Sequence, residues 1–478
     1  MISNVFWKWA QTIAVQLIGF ATTVVLARIL EPSDYGIFTL SAGFISIASV
    51  LVNIGFSSSI IQKKEILDEE ITAIFMCGIV ISLLLYIVLF FVAPMIELSF
   101  AIPGLKDVLR IYGLSFILDA LSSVQRALLK RNLEFKKEFF LSLIGILIKG
   151  TVGITMAING FDVWSLVFSA LANSFTCCVL LWCMLKWNPK KCSFFRISKR
   201  LISFNLSVLA INLVRIIYYK SRLFLIGKEY SSDQLAYYSK GEQIPNLLTE
   251  QVDGTVAAVL FSTLSKCQDD WSKGKSILRQ SMQTSIYICS PLNIGLCVIA
   301  EPLIRILFTE KWIFAAPYMQ VLCLVYLCWP TALRIYALNA RGKSKISLRI
   351  VLLECGVGFG ILLLTYRMNI LLGIASEFIS YVLTFPISVY VYQKHLDYSI
   401  REQVRDIFPA ILLSIFMGII IYPISFLKIN VFFVLILQIF AGSVFYMSAS
   451  KWLRMPGFFG AISAAKNIWS KANKIWRK

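Results

Sequence analysis

The sequence is poor in the residues that most enzymes rely on. It has one histidine, and Asp, Glu, Lys and Arg together make up 15% of its 478 residues, against about 25% in ordinary soluble domains. Its 11 cysteines are scattered through apolar runs, with no Cys-x-x-Cys and no Cys/His spacing. That argues against a zinc site, a haem or a disulfide framework, and leaves cysteine as buried filler. No GxxxxGK[ST] run is present, which argues against ATP hydrolysis by this chain. Apolar residues are in excess, at 58%, with a mean hydropathy of +0.76. A water-soluble core of this length needs polar surface that such a composition does not supply. Lipid must therefore surround most of the chain, so a soluble enzyme is excluded and a polytopic membrane protein is expected. No cofactor and no metal are implied.

Apolar stretches of about 20 residues are long enough to cross a bilayer as helices. They occur at 9–30, 36–61, 71–93, 105–129, 137–158, 162–186, 201–227, 235–261, 281–300, 315–340, 344–366, 371–392, 405–427 and 429–450. The fold class expected is therefore all-α, with about fourteen transmembrane helices. The first is read as a retained helix rather than a cleaved signal, because Lys8 is the only early cation and the apolar run from Trp9 continues into the body of the chain. Net charge is +20, and in a membrane protein the question is where that excess lies. One set of alternate loops and ends holds about 31 Lys and Arg, including the run Lys186 to Arg200 and the C-terminal tail, against about eight in the other set. Cationic loops stay in the cytoplasm, so both termini are expected there, and nucleic acid is not implied as a partner. In the tail, Phe459, Ile462, Ile468, Trp469, Ile475 and Trp476 share one helical face, with Lys466, Lys471, Lys474 and Lys478 elsewhere. It reads as a helix on the anionic inner leaflet, a solvated basic tail being the alternative.

The segment LARILEPSDYGIFTL at 26–40 has a degraded echo in LFLIGKEYSSDQLAYYSK at 223–240. A shift of 200 residues sets Gly36 on Ala236 and Phe38 on Tyr238, and a shift of about 208 sets Arg126 on Arg334. Two parallel halves of six helices around a central cavity are implied, the arrangement of many secondary transporters. The expected organisation is an N-terminal lobe at 1–187, a basic cytoplasmic linker at 188–200, a C-terminal lobe at 201–393, two extra spans at 394–450 and the basic tail at 451–478.

Seven cations remain inside spans: Arg126, Lys149, Arg215, Lys220, Arg222, Lys240 and Arg334. A charge at the bilayer centre costs at least about 2.5–3.5 kcal/mol, so each is expected to face a wet cavity or a counter-charge. Arg215 and Arg222 are seven residues apart and fall on one face of span 7, with Tyr218 and Tyr219 beside them. Lys220 is rotated from that face, and Lys149 falls near the midplane of span 5. Arg215, Arg222, Lys220, Lys149 and Arg334 are the candidate ligands of an anionic headgroup, because a guanidinium grips phosphate bidentately and a narrow cavity strengthens the attraction. Arg126 and Lys240 lie near helix ends, within reach of the interface. The acids within spans are Asp119, Glu242, Glu250, Asp253, Glu354 and Glu377. Asp119, Glu354 and Glu242 are candidates for ion coupling or counter-charge, and Glu354 is the partner Lys149 would take in a purely structural pair. Span 8 is unusually polar and contains Pro245, so it reads as lumen-lining or as a half-buried surface helix.

At LARILEPSDYGIFTL, followed by NIGFSSSIIQK at 53–63, the chain resembles the Wzx-type polysaccharide flippases of the multidrug/oligosaccharidyl-lipid/polysaccharide (MOP) exporter superfamily. The matching residues are Ala27, Arg28, Leu30, Pro32, Asp34, Tyr35, Gly36, Phe38, Gly55 and Phe56. The resemblance implies translocation of an undecaprenyl-pyrophosphate-linked oligosaccharide across the bacterial cytoplasmic membrane, for O-antigen, capsule or exopolysaccharide, with polymerase machinery as a candidate partner. It implies no catalytic residue. Arg28, Asp34 and Tyr35 fall at an external helix end and are read as a hairpin clasp or gate. Two other readings stand beside this one. A drug/cation antiporter of the same superfamily needs a membrane carboxylate, for which Asp119 and Glu354 are available, although the first span has no acid. A membrane-embedded glycan polymerase or ligase needs a long external loop, and none here exceeds about 15 residues.

Overall fold

The computed structural model describes residues 2–53, 60, 67–185, 187–190, 213, 216–264, 270–463 and 466. Every regular element among them is helical, and ten helices are long and apolar enough to cross a membrane. The chain is therefore all-α and multi-pass. Four of the expected spans have a different outline. The span at 36–61 begins as the helix Pro32–Asn53, and the residues after Asn53 lie mostly outside the described part. The span at 105–129 is two helices, Leu105–Tyr112 and Ser115–Arg131, parted at Gly113 and Leu114. The span at 201–227 is described chiefly from residue 216, as a helix over 216–229. The span at 235–261 is the helix Ser232–Leu264, continuous through Pro245 and too polar to count among the ten. The helix Trp271–Phe308 also overruns the expected 281–300 at both ends; its start is fixed by Asp270, which accepts the backbone N–H of Lys273 at 3.3 Å.

The described chain forms two compact units, Met1–Ala236 and Tyr237–Lys478. In the first, Ile2–Ile29 lies along Phe135–Ile158, which is hairpinned to Asp162–Met184. Small residues let these backbones approach: a Cβ on Gly150 would sit 2.9 Å from the Thr22 hydroxyl. A polar tie crosses the same seam, where the Gln11 amide donates to Ser142 Oγ at 2.7 Å. Asp68–Phe100 packs on Ser115–Arg131 through Ile71, Ile74, Phe75, Val124 and Ala127.

In the second unit Trp271–Phe308 is the central helix, packed on Ala315–Cys328, Ile400–Ile421 and Val431–Trp452. One end is bound by charge. Arg279 donates to both oxygens of Asp406 at 2.7 and 2.9 Å and to Glu402 at 3.1 Å, and Gln283 and the Tyr398 hydroxyl each donate to Asp406 at 2.7 Å. Burial, and then the hydrogen bond it gives Asp406, push the Tyr398 phenol well above its ordinary range, so it stays a donor. Ser399 and Glu402 form a capping box that starts Ile400–Ile421. The helix at 456–463 opens the expected tail and packs on Tyr287 and Thr284 through Gly457 and Gly460, leaving Phe459 and Ile462 exposed. The tail's later residues lie outside the described part.

Candidate functional site

The hairpin marked by Arg28, Asp34 and Tyr35 is built locally. The helix Ile2–Ile29 ends with the N–H of Leu30 on the Leu26 carbonyl at 2.9 Å, and Pro32 restarts the chain as a helix, its fixed φ suited to a first turn. Asp34 reaches back to accept the Glu31 N–H at 3.3 Å, placing a carboxylate on the positive end of the new helix. Tyr35 is buried and donates to the Thr23 carbonyl at 3.4 Å, tying the second helix to the first. Arg28 is exposed. Two hundred residues on, the N–H of Tyr230 meets the Ile226 carbonyl at 2.9 Å and Ser232 restarts the chain. The two hairpins touch. A Cβ on Gly36 would lie 2.0 Å from the Ser232 carbonyl oxygen, and Phe44 meets Phe224 with ring centres 4.5 Å apart.

Among the sequence-selected cations, Arg215 lies outside the described residues. Lys220 is half-buried and Arg222 is 6% exposed, both on the helix over 216–229. Arg334 is 3% exposed, donates to Gln403 Oε1 at 2.7 Å and to the Thr331 carbonyl at 2.9 Å, and stacks its guanidinium 4.4 Å from the Tyr392 ring centre. Those contacts engage its charge within the second unit. Lys240, expected to reach an interface, is instead buried, with its ammonium 5.3 and 5.4 Å from the ring centres of Phe308 and Trp312. Aromatic faces stabilise a cation that water no longer reaches. Glu242 accepts from the hydroxyls of Tyr238 and Tyr326 at 3.2 and 3.3 Å, and Glu354 accepts from Ser388 at 3.2 Å.

Lys149 differs from the others. It projects from the middle of Phe135–Ile158 into a cavity of about 460 Å³ inside the first unit, and makes no hydrogen bond or ion pair with a described residue. Asp119 lines the same cavity, and so do Asn173, Ser174, Ser115 and Tyr112. The break at Gly113 lets both helices of the 105–131 segment contribute, Tyr112 from the first and Ser115 and Asp119 from the second. Ser174 donates to Asp119, and Arg126, two turns along from Asp119, is the cation in its electrostatic range. Asn173 fits beside Gly145, where a Cβ would lie 2.6 Å from its amide oxygen. Ser115 is 4% exposed and its hydroxyl has no partner among the described residues. Lys149 and Asp119 stand out in the sequence as intramembrane charges; Asn173, Ser174 and Ser115 do not. An asparagine and a serine side by side in the apolar run SALANSFTCC were the available signal, since buried polar groups require partners.

The described residues hold no group of three or more His, Cys, Asp or Glu arranged for a metal, and the nine described cysteines are free. A family model for polysaccharide biosynthesis proteins matches residues 25–317. An uncharacterized membrane protein in the cps region of Klebsiella pneumoniae is 25% identical over 390 residues, covering 79% of each chain. The lipopolysaccharide biosynthesis protein WzxC of Escherichia coli (strain K12) is 23% identical over 335 residues, 68% of this chain and 66% of that one. Among solved structures, the lipid II flippase MurJ in an inward closed conformation superposes with a TM-score of 0.76 at 15% identity, over 94% of this chain and 99% of that one. The chain belongs to the polysaccharide biosynthesis protein family, and its fold is that of the lipid II flippase MurJ.

Proposed function

We propose that the protein flips undecaprenyl-pyrophosphate-linked oligosaccharide repeat units across the bacterial cytoplasmic membrane for polysaccharide synthesis, by exposing a cationic cavity to alternate faces. The observation that carries this reading is Lys149: a cation with no ion pair among the described residues, in a polar cavity, in the middle of an apolar helix. Intramembrane charges of that kind mark substrate paths. Arg215, Arg222 and Lys220 are the groups proposed to hold the pyrophosphate, since phosphate oxygens accept from guanidinium and ammonium donors without any covalent step. The lipid tail stays in the bilayer, in contact with the two extra spans, while the two six-helix lobes rock; the glycan crosses through the wet interior. No charge then passes through hydrocarbon. The asymmetry of Lys and Arg between alternate loops supports cytoplasmic termini, with the basic tail on the anionic inner leaflet.

The test is mass spectrometry of polyprenyl-linked glycans from cells lacking this gene, complemented with wild type or with Arg215→Ala/Arg222→Ala. Accumulation of a complete, unpolymerised repeat unit on its lipid is expected, relieved by wild type and not by the double variant. An unchanged lipid-linked pool refutes flipping.

A further inference from the structure

We propose that the cavity shared by Lys149 and Asp119 is a subsite for a sugar ring of the cargo, separate from the groups that grip its phosphates. The proposal rests on the flippase reading and narrows it. The walls decide between the two parts of the headgroup by counting donors and acceptors. Phosphate oxygens only accept hydrogen bonds at neutral pH. A pyrophosphate placed here would use Lys149, the Asn173 amide N–H and the hydroxyls, but would face the Asp119 carboxylate with nothing to donate. The carboxylate would repel it through a medium that screens poorly. A sugar hydroxyl both donates and accepts, and the cavity offers the same mixture: an acceptor in Asp119, a donor in Lys149, an amide with both in Asn173, and hydroxyls with both in Ser115 and Ser174.

Charge and shape agree with this. Lys149 and Asp119 both line the cavity, and Arg126 is within electrostatic range of Asp119, so a neutral ring that both donates and accepts can meet each sign of charge without adding a charge of its own. The Tyr112 ring, stacked on Phe38 with centres 5.4 Å apart, supplies an aromatic wall for the ring's C–H face. The volume, about 460 Å³, falls within the range of small-ligand sites. Ser115 gives the independent observation: its hydroxyl is buried, borders the cavity and lacks any partner among the described residues. An unmet buried hydroxyl is a cost that a ligand removes.

The test uses purified full-length protein and two probes: inorganic pyrophosphate, and the reducing glycan released by mild acid from the lipid-linked pool of cells lacking the gene. Calorimetry should show saturable glycan binding, weakened at least about tenfold by Asn173→Ala and by Asp119→Asn, with pyrophosphate affinity changed less than about twofold. Ser115→Ala guards against misfolding, since its hydroxyl has no described partner to lose, and should weaken glycan binding while the melting temperature holds. Absence of glycan binding to wild type overturns the subsite, and so does glycan affinity unchanged in all three variants. Weakened pyrophosphate binding in Asn173→Ala overturns it in favour of a phosphate site. If no lipid-linked pool accumulates in the first place, the flippase reading fails and the subsite falls with it; a pool without glycan binding sinks the subsite alone.

Discussion

Replacing Gly36 with alanine forces a methyl group to within 2.0 Å of the Ser232 carbonyl oxygen, 2.6 Å of its carbonyl carbon and 2.9 Å of its Cα. Carbon and oxygen atoms in packed interiors stay above roughly 3 Å, so the first turn of Pro32–Asn53 and the start of Ser232–Leu264 must separate by about 1 Å. The obstacle is backbone, which no rotamer change removes. Overpacking of this kind costs about 1–3 kcal/mol, equivalent to a shift of about five- to 150-fold against the state with the hairpins in contact. The assay has two parts. Thermal unfolding of the purified variant should show a lowered midpoint, and complementation of cells lacking the gene should leave lipid-linked glycan uncleared. Gly78→Ala is the matched control: a Cβ there meets nothing within 4 Å, and alanine within Asp68–Phe100 should be neutral or stabilise by up to about 1 kcal/mol. A Gly36→Ala protein that melts and complements like wild type refutes the reasoning, because the hairpin contact would then have no fixed distance.

Lys149→Met should abolish clearance of the lipid-linked pool while the melting temperature stays level or rises, because an intramembrane charge without an ion pair costs stability that an apolar side chain restores; a clear drop in melting temperature would instead mark Lys149 as structural. Asp406→Ala should destabilise the second unit by about 3–5 kcal/mol, since it strips Arg279 of a buried bidentate partner and leaves Tyr398 and Gln283 without their acceptor. Unfolding monitored by denaturant titration checks this, and a loss below about 1 kcal/mol, the value of an exposed pair, would contradict the burial argument.

Composition and hydropathy alone determined the class of this protein, because 58% apolar residues and 15% charged ones leave no soluble solution. Local pattern went further at the hairpins. Asp34 acts on a backbone N–H three residues before it and Tyr35 on a carbonyl twelve residues before it, so the segment that marks this hairpin is readable along the chain. Lys149 was legible too, as a cation stranded among apolar neighbours. The tertiary structure decided which side chains meet. Helical periodicity tells which face a residue occupies but not which helix lies against it. Nothing in the sequence showed that Asp119 lines the cavity that Lys149 enters, or that Arg334 is enclosed by Tyr392 and by Gln403, the latter 69 residues along the chain. Nor did it show that Lys240 sits between Phe308 and Trp312. The break at Gly113, which brings Tyr112, Ser115 and Asp119 to one cavity, is likewise a product of packing. In an apolar medium the helices form wherever about twenty apolar residues permit, while partners are chosen by close packing and by the need of each buried polar group for a neighbour.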